Sequence, residues 1–560
     1  MTTTKATTSS HALLSVFAAN GIDRVFLVPG ESYLGILDAL SDFPDIDVVT
    51  CRHEGGAGFM ACADGRLTRR PGVVMVSRGP GATNASIAVH TAQQDAVPLI
   101  LVIGQIPKAD LRKEAFQEIA YQEMYGSIAK WVVEVTDPAM LAEAAFKAIR
   151  IATSGTPGPV VLVVPEDIQH QEAAQPTWRA VPHDATAPSA ETVGKVAALL
   201  NGARQPLIIA GGALDSVGGR RALKELAERC HVPVAVSFRQ HDIFPNEHLL
   251  FAGDLGLVNP KDQIATFESS DLIIALGTRF GDITSQGYTF PKLPAPSQTL
   301  VHVYADPHIV GLHFAPTVGL VCDPAQFAAL LAEQVSTAVS DERKAWAKRL
   351  NDIYKCISAW PDPEVSDGIP FVKVVQSLSR MAPADTVICL DAGTFAAPVY
   401  RHFPFSFPQR LMAPLSGAMG YGTPSAVASQ LRLKGATVVC MVGDGGFLMT
   451  GNEMIAAVER KLPILFILAN NNCYGSIRVH QELTYKDRHL GTTLSNPDFV
   501  SLARSFGVEA ERVEVLEEVD AAIERGLAAK GPYLIEVHAS LAAILPVRGA
   551  AAPALERSGN

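Results

Sequence analysis

The chain has 560 residues, 48% hydrophobic and 18% charged, with 46 Lys+Arg against 57 Asp+Glu and a formal net charge of −11. That length allows three or four domains with sizeable cores, and the acidic balance excludes a chain built for nucleic acid or an anionic membrane surface, which asks for a basic patch. No apolar run reaches the ~20 residues of a membrane span. Met1–Ser10 is polar without an apolar signal core, and the eight cysteines include no CxxC pair, as expected of buried thiols in a reducing cytoplasm.

Taken in order, His11–Asn20 shows a helical apolar face. Arg24–Leu27 reads as a short strand ending at Val28-Pro29-Gly30-Glu31, Tyr33–Leu40 as a helix, and Asp47–Cys51 as a strand running into Arg52-His53-Glu54. Gly56–Arg66 is rich in small residues suited to close helix packing. Gly72–Ser77 is a buried strand feeding Gly79-Pro80-Gly81-Ala82-Thr83-Asn84, and Leu99–Ile103 and Val160–Val164 complete the set. Repeated strand–helix units predict a doubly wound parallel domain over 1–172. Gln171–Pro188 lacks periodicity and reads as a linker.

A second α/β unit spans 190–340, with strands Pro206–Ala210, Leu272–Leu276 and Leu300–Tyr304, each ending in a Gly- or Asp-bearing turn. A helical connector from Asp341 to Tyr354 and a Pro/Asp loop lead to a third unit over 365–545. It opens on helix Phe371–Arg380, strand Thr386–Leu390 and the turn Asp391-Ala392-Gly393, followed by a turn and small-residue helix over Ser416–Gln430. Val547–Asn560 reads as a loose tail. The first and third units share a plan of amphipathic helix, strand and Gly turn, which suggests an ancient duplication.

The chemistry concentrates between Thr437 and His480. An apolar run, Thr437–Val442, breaks at Gly443-Asp444-Gly445-Gly446. A helix-period segment, about 452–461, and a second apolar run, Ile464–Leu468, end in Asn470-Asn471-Asn472. This is one βαβ unit, and ligands gather at the carboxyl ends of parallel strands. Asp444 and Asn471 offer hard oxygen donors suited to Mg²⁺, while Gly443, Gly445 and Gly446 let backbone approach an anion at a helix start.

Gly-Asp-Gly, 24 residues and then Asn-Asn resembles the signature of thiamine-diphosphate (ThDP) enzymes. The resemblance implies that Asp444, Asn471 and the Cys473 carbonyl hold the metal. It places Asn84, Gly393, Gly417, Met419, Gly443, Gly445, Gly446, Tyr474, Gly475, Ser476 and Ile477 around the cofactor, with Met419 bending it into its V shape. ThDP works by losing a carbon-bound proton of its thiazolium ring, and its own aminopyrimidine must supply the base. That requires a carboxylic acid at the far ring nitrogen, and Glu54 meets the demand. The stretch RHEGGAGFMACADGRLTRRPGVVMVSRGPGATNA resembles the pyrimidine-binding domain of the acetolactate synthase / benzaldehyde lyase branch. The implied architecture is α/β with three doubly wound parallel-sheet domains: pyrimidine-binding, middle Rossmann-like and diphosphate-binding. Active sites would lie between chains of a homodimer or homotetramer.

Gln105, Phe116-Gln117 and Lys130 match an active-site segment of acetolactate synthases. Three positions depart from them: His480 stands where those enzymes have tryptophan, Ser476 replaces methionine, and Glu31 replaces a small residue, where it could also cap the helix starting near Ser32. In the middle domain, Gly277-Thr278-Arg279-Phe280-Gly281-Asp282-Ile283 and Leu255 lose contacts that hold FAD in acetolactate synthases, whereas Arg279 and Asp306 are compatible with it. The expected function is carboligation. A 2-oxo acid such as pyruvate would be decarboxylated and its acyl group passed to a second carbonyl, with Glu54, Gln117, Glu31 and His480 at the reacting groups. The rival readings are a lyase or decarboxylase acting on an acyloin or aryl 2-oxo acid, a pyruvate-oxidase-like flavoenzyme, and a non-catalytic binder, which would have little use for Glu54.

Overall fold

Three six-stranded sheets, each wholly parallel, organise the chain in a computed structural model describing residues 7–174, 177–181 and 186–545. The first contains β1 (Arg24–Leu27), β2 (Asp47–Thr50), β3 (Gly72–Val76), β4 (Leu99–Gln105), β5 (Trp131–Glu134) and β6 (Pro159–Pro165), in the order β2-β1-β3-β4-β6-β5. Its central strands β3, β4 and β6 are buried along their whole length. Helices cover both faces of such a sheet, so its strands read as continuous apolar runs.

The middle sheet contains β7 (Pro206–Ala210), β8 (Val234–Val236), β9 (Phe251–Asp254), β10 (Leu272–Leu276), β11 (Thr299–Tyr304) and β12 (Val318–Val321), in the order β12-β11-β10-β7-β8-β9. The strand order reverses between β7 and β10, the switch point at which a doubly wound sheet opens a crevice. The third sheet contains β13 (Val387–Leu390), β14 (Arg410–Met412), β15 (Val438–Gly443), β16 (Ile464–Asn470), β17 (Glu509–Val513) and β18 (Tyr533–His538), in the order β14-β13-β15-β16-β18-β17. Strand for strand this repeats the first sheet, so the shared plan of the first and third units extends to topology.

These two units pack on each other within the chain. Helix Glu54–Thr68 of the first lies against helix Gly422–Arg432 of the third, with the Phe59 ring edge-on to Tyr421 at 5.6 Å. One apolar core runs through both units. At its rim Arg432 pairs with Asp64 and Asp23, both at 2.8 Å. A buried charge knot adds the middle unit: Asp215 lies 2.7 Å from Arg220, 3.0 Å from Arg410 and 3.7 Å from Arg66. Burial alone would raise the Asp215 pKa, but the Arg410, Arg220 and Arg66 charges prevail and hold it far below the carboxylate range.

The linker clings to the first unit, with Trp178 stacked on Phe146 at 5.3 Å. The readings of Met1–Ala6 and Val547–Asn560 lie outside the described residues. No helix among the described residues is long and apolar enough to cross a membrane. All eight cysteines are free thiols, and only Cys356 among them is exposed.

Candidate active site

In the third sheet, β15 ends at Gly443 and Asp444 immediately opens a helix, Asp444–Thr450. The sequence pattern had suggested a Gly turn ahead of a helix at about 452–461. Instead the glycines form the first helical turn, followed by a 3₁₀ turn at Gly451–Glu453 and a helix at Met454–Glu459. Side chains are excluded there: a Cβ on Gly445 would lie 2.3 Å from the Tyr474 ring.

The Asp444 carboxylate is 3% exposed. Its Oδ1 accepts the Gly445 N–H at 2.9 Å, and its Oδ2 accepts the Cys473 N–H at 3.2 Å and the Asn496 amide at 2.8 Å. Burial pushes its pKa up, opposed by the Asn496 and backbone N–H bonds. The three asparagines ending β16 differ in their engagements. Asn470 donates to Glu536 at 2.8 Å and accepts from the Asn472 N–H and from Asn496. Asn472 is exposed, with φ +54. Asn471 Oδ1 is buried and accepts no hydrogen bond. The Cys473 carbonyl accepts the Gly475 N–H at 2.8 Å, leaving a second lone pair. An orphaned amide oxygen, a buried carboxylate and a carbonyl form a hard oxygen donor set that fits Mg²⁺. Asn496, which orients Asp444, is absent from the sequence reading because Asn-Pro there resembles any turn.

Next to this group, Gly475 opens helix Gly475–Tyr485. Its Gly475 and Ile477 N–H groups bond the Cys473 and Tyr474 carbonyls at 2.8 and 3.0 Å, and the positive end of its dipole favours an anion. The Ser476 hydroxyl accepts the Thr394 N–H at 2.9 Å, tying the loop after β13 and Gly393 to this helix start. Met419, half-buried, sits on a loop that all three units hold. Arg66 donates to the Ala413 carbonyl at 3.0 Å, and Arg239 to that of Pro414. Asp95 accepts the Ser416 N–H at 2.9 Å, and both Asp391 oxygens accept the Gly420 N–H at 2.9 Å. Gly417 takes φ +70 within this loop. Burial raises the Asp391 pKa to about 6 despite its backbone N–H bonds.

A second group stands at the carboxyl ends of the first sheet. Glu54 is the first residue of helix Glu54–Thr68 rather than the end of a strand, and its Oε2 accepts the Asn84 amide at 2.9 Å. Glu31 opens a 3₁₀ turn and pairs with Arg78 at 2.9 Å, while Arg78 also holds Glu166 at 3.1 Å. The Glu31 side chain is 70% exposed. Gln117, at φ +65, packs its backbone on Gly79, where a Cβ would meet the Gln117 carbonyl at 2.6 Å. Among the described residues, no hydrogen bond or ion pair joins this group to Asp444, Asn471 or Cys473.

The other expected residues fall at three places. Gln105 is buried at the end of β4, bonded to Glu134 at 3.1 Å. Lys130 lies at the amino end of the sheet, the opposite end from Glu54, with its ammonium on the Ser154 and Thr156 carbonyls at 2.6 and 2.8 Å. Burial lowers its pKa to about 8. His480 is exposed in helix Gly475–Tyr485, near the exposed Ile477.

A cavity of about 880 Å³ opens at the switch point of the middle sheet, lined by Gly212, Gly277, Thr278, Asp282 and, from the first unit, Arg66 and Arg150. Arg279 and Asp306 face inward toward the first unit: Arg279 donates to the Gln93 and Gln94 carbonyls, and Asp306 accepts the Thr156 N–H at 2.9 Å.

Comparison with known proteins agrees with this layout. Three models of the thiamine pyrophosphate enzyme match: the N-terminal TPP binding domain over residues 7–124, the central domain over 193–331 and the C-terminal TPP binding domain over 391–537. The large subunit of Escherichia coli acetolactate synthase isozyme 2 is 30% identical over 94% of this chain and 94% of its own length. A probable acetolactate synthase large subunit of Methanocaldococcus jannaschii is 29% identical over 96% and 93%. Among solved structures, a Rhodococcus jostii ThDP-dependent 4-hydroxybenzoylformate decarboxylase superposes with a TM-score of 0.82 at 24% identity, covering 95% of this chain and 99% of that one. At that identity the likeness concerns the fold.

Proposed function

Because the chain belongs to the thiamine pyrophosphate enzymes and is a ThDP-dependent carboligase of the acetolactate-synthase kind, we propose that it decarboxylates a 2-oxo acid such as pyruvate and joins the acyl unit to a second carbonyl. The observation that carries the site assignment is the unpartnered Asn471 Oδ1 in the strand-end cluster of Asp444. Asp444, Asn471 and the Cys473 carbonyl would hold Mg²⁺. The backbone at Gly393, Gly417, Gly443, Gly445 and Gly446 and the stretch Tyr474–Ile477 would receive a diphosphate. When bound, ThDP supplies the carbon nucleophile and the electron sink.

The protein's own groups supply the rest. Glu54 would hold a proton against the cofactor's pyrimidine nitrogen through the oxygen that Asn84 leaves available. Met419, on its strapped loop, would set the cofactor's bend. Gln117 would orient the substrate, and Glu31, with Arg78 as counter-charge, and His480 would move protons at the second carbonyl. Since the two groups of one chain share no bond, we place each complete site between chains of a homodimer or homotetramer. The buried free thiols fit a cytoplasmic setting.

The test is product analysis after adding ThDP, Mg²⁺ and pyruvate. Acetolactate supports the reading, and acetaldehyde or no product overturns it. A second reading, an acyloin lyase or aryl 2-oxo acid decarboxylase, draws on His480 and Glu31, and benzoylformate and benzoin would test it. The middle cavity is large enough for a dinucleotide, but Arg279 and Asp306 are already engaged with the first unit. We therefore expect no flavin, and an absorbance band near 450 nm (about the flavin maximum) in the purified protein would favour an oxidase-like flavoenzyme.

A further inference from the structure

Only Arg52 and His53, after Cys51, lead from β2 into the helix that Glu54 begins. Their N–H groups face not solvent but a carboxylate from the third unit. Glu453 Oε1 accepts the His53 N–H at 2.9 Å and the Arg52 N–H at 3.0 Å, and Oε2 accepts the Arg52 N–H at 3.3 Å. Glu453 is fully buried at this junction. A Cβ on Gly56 would lie 2.7 Å from its Cγ and Oε1, so the glycine is what admits the carboxylate. Arg52, the nearest cation, turns its guanidinium to Glu459 and the Thr50 carbonyl instead.

A buried carboxylate held mainly by backbone N–H groups carries a desolvation cost, and its removal would leave the Arg52 and His53 N–H groups without an acceptor. The carboxylate also fixes the path of the backbone it grips. The segment ending at Glu453 begins nine residues earlier at Asp444. Resting on the reading of Glu54 given above, we propose that Glu453 is a positioning residue. It clamps the 52–53 backbone so that the Glu54 carboxyl meets the cofactor, and it ties that acid to the segment anchoring the same chain's metal group. With sites built between chains, the metal end of one site and the activating acid of the next share this one strut.

Two readouts test this. In the cofactor-free protein, Glu453→Ala is expected to reduce amide hydrogen-exchange protection at residues 52–53 by about tenfold or more. In the protein loaded with ThDP and Mg²⁺, it is expected to slow exchange of the cofactor's C2 hydrogen into D₂O by about tenfold to a hundredfold, the scale of a misplaced acid. Glu453→Gln keeps an acceptor oxygen and is expected to recover most of both. Phe59→Leu, which loosens the same interface away from the clamp, is expected to leave C2 exchange normal. If Glu453→Ala does not fold, Gly56→Ala crowds the carboxylate with Glu453 in place and is expected to slow exchange. Normal C2 exchange in Glu453→Ala or Gly56→Ala, equal defects in the Gln and Ala variants, or an equal defect in Phe59→Leu would overturn the proposal. Glu54→Gln is the benchmark. If it leaves C2 exchange unchanged, the reading of Glu54 fails and the proposal with it; if it slows exchange while Glu453→Ala does not, only the proposal fails.

Discussion

Asn471 and Asn496 carry the same side chain, and each buries an Oδ1 without a partner. They differ in the amide nitrogen, since that of Asn496 touches Asp444, Asn470 and Asn472 at 2.8, 2.9 and 3.3 Å. The first is a ligand in waiting and the second orients a ligand. Asn496→Ala should therefore weaken Mg²⁺ binding by about 10- to 100-fold, the usual effect of losing an orienting partner, while leaving kcat at saturating Mg²⁺ close to wild type. A titration of rate against Mg²⁺ separates the two effects. Glu54→Gln should behave differently, lowering kcat by about 10²- to 10⁴-fold at any Mg²⁺ concentration, as expected for loss of a general acid. Glu31 adds a residue-scale question about specificity. Its salt bridge to Arg78 sits half in water, so it contributes little to stability. Glu31→Gln should change product distribution more than the melting temperature, which product analysis and a thermal scan would show together.

At the scale of elements, both functional acids share a design: a strand ends, and the next helix begins almost at once with the acid in its first turn. Positive helix ends favour such carboxylates. Two further carboxylates, Asp391 and Glu453, are buried and hold backbone, with pKa values raised by burial to about 6 and about 7. The folded state thus binds their protons more tightly than the unfolded chain does. Their contribution to stability is fully present below the unfolded values near 4 and is lost as pH rises through about 6 and 7. Compared with wild type, Glu453→Gln should consequently become relatively more stable between pH 5 and pH 8, by up to roughly 3 kcal/mol. Denaturant unfolding at several pH values checks this, and a difference that does not change with pH would show that Glu453 titrates normally.

Across the whole molecule, the first and third sheets share one strand order and one core, yet among the described residues no hydrogen bond or ion pair joins Glu54 to Asp444, Asn471 or Cys473. If sites form between chains, an inactive Glu54→Gln chain and an inactive Asp444→Ala chain should rescue each other. Half of randomly mixed dimers would be hybrids with one complete site each, giving about a quarter of wild-type activity. Sites complete within single chains would give no activity above the two parents after unfolding and remixing.

Much of this was legible in the sequence because it is local. Short apolar runs bounded by glycine turns fit buried parallel strands, and Asp444 and Asn471 are named by their spacing from glycines and from each other. Elements stabilised by their neighbours were not legible. The three-residue β14 and the edge strands β5, β12 and β17 have too little pattern of their own and exist because a longer strand lies beside them. The extra turn placed before the helix at 452–461 was an error of the same kind, since only the rings and carboxyls packed on Gly445 and Gly446 show that the helix starts at Asp444. Lys130 was misplaced because one strand's length separates the two ends of a sheet, and spacing in sequence does not say which end a residue occupies. The sequence by itself determined which chemistry the chain carries, because the donor atoms are fixed by residue type and short-range spacing. Which asparagine oxygens are left without partners, which amide steadies Asp444, and which carboxylate from 400 residues away grips the backbone before Glu54 were decided only by the tertiary structure, because each depends on what distant segments bring into contact.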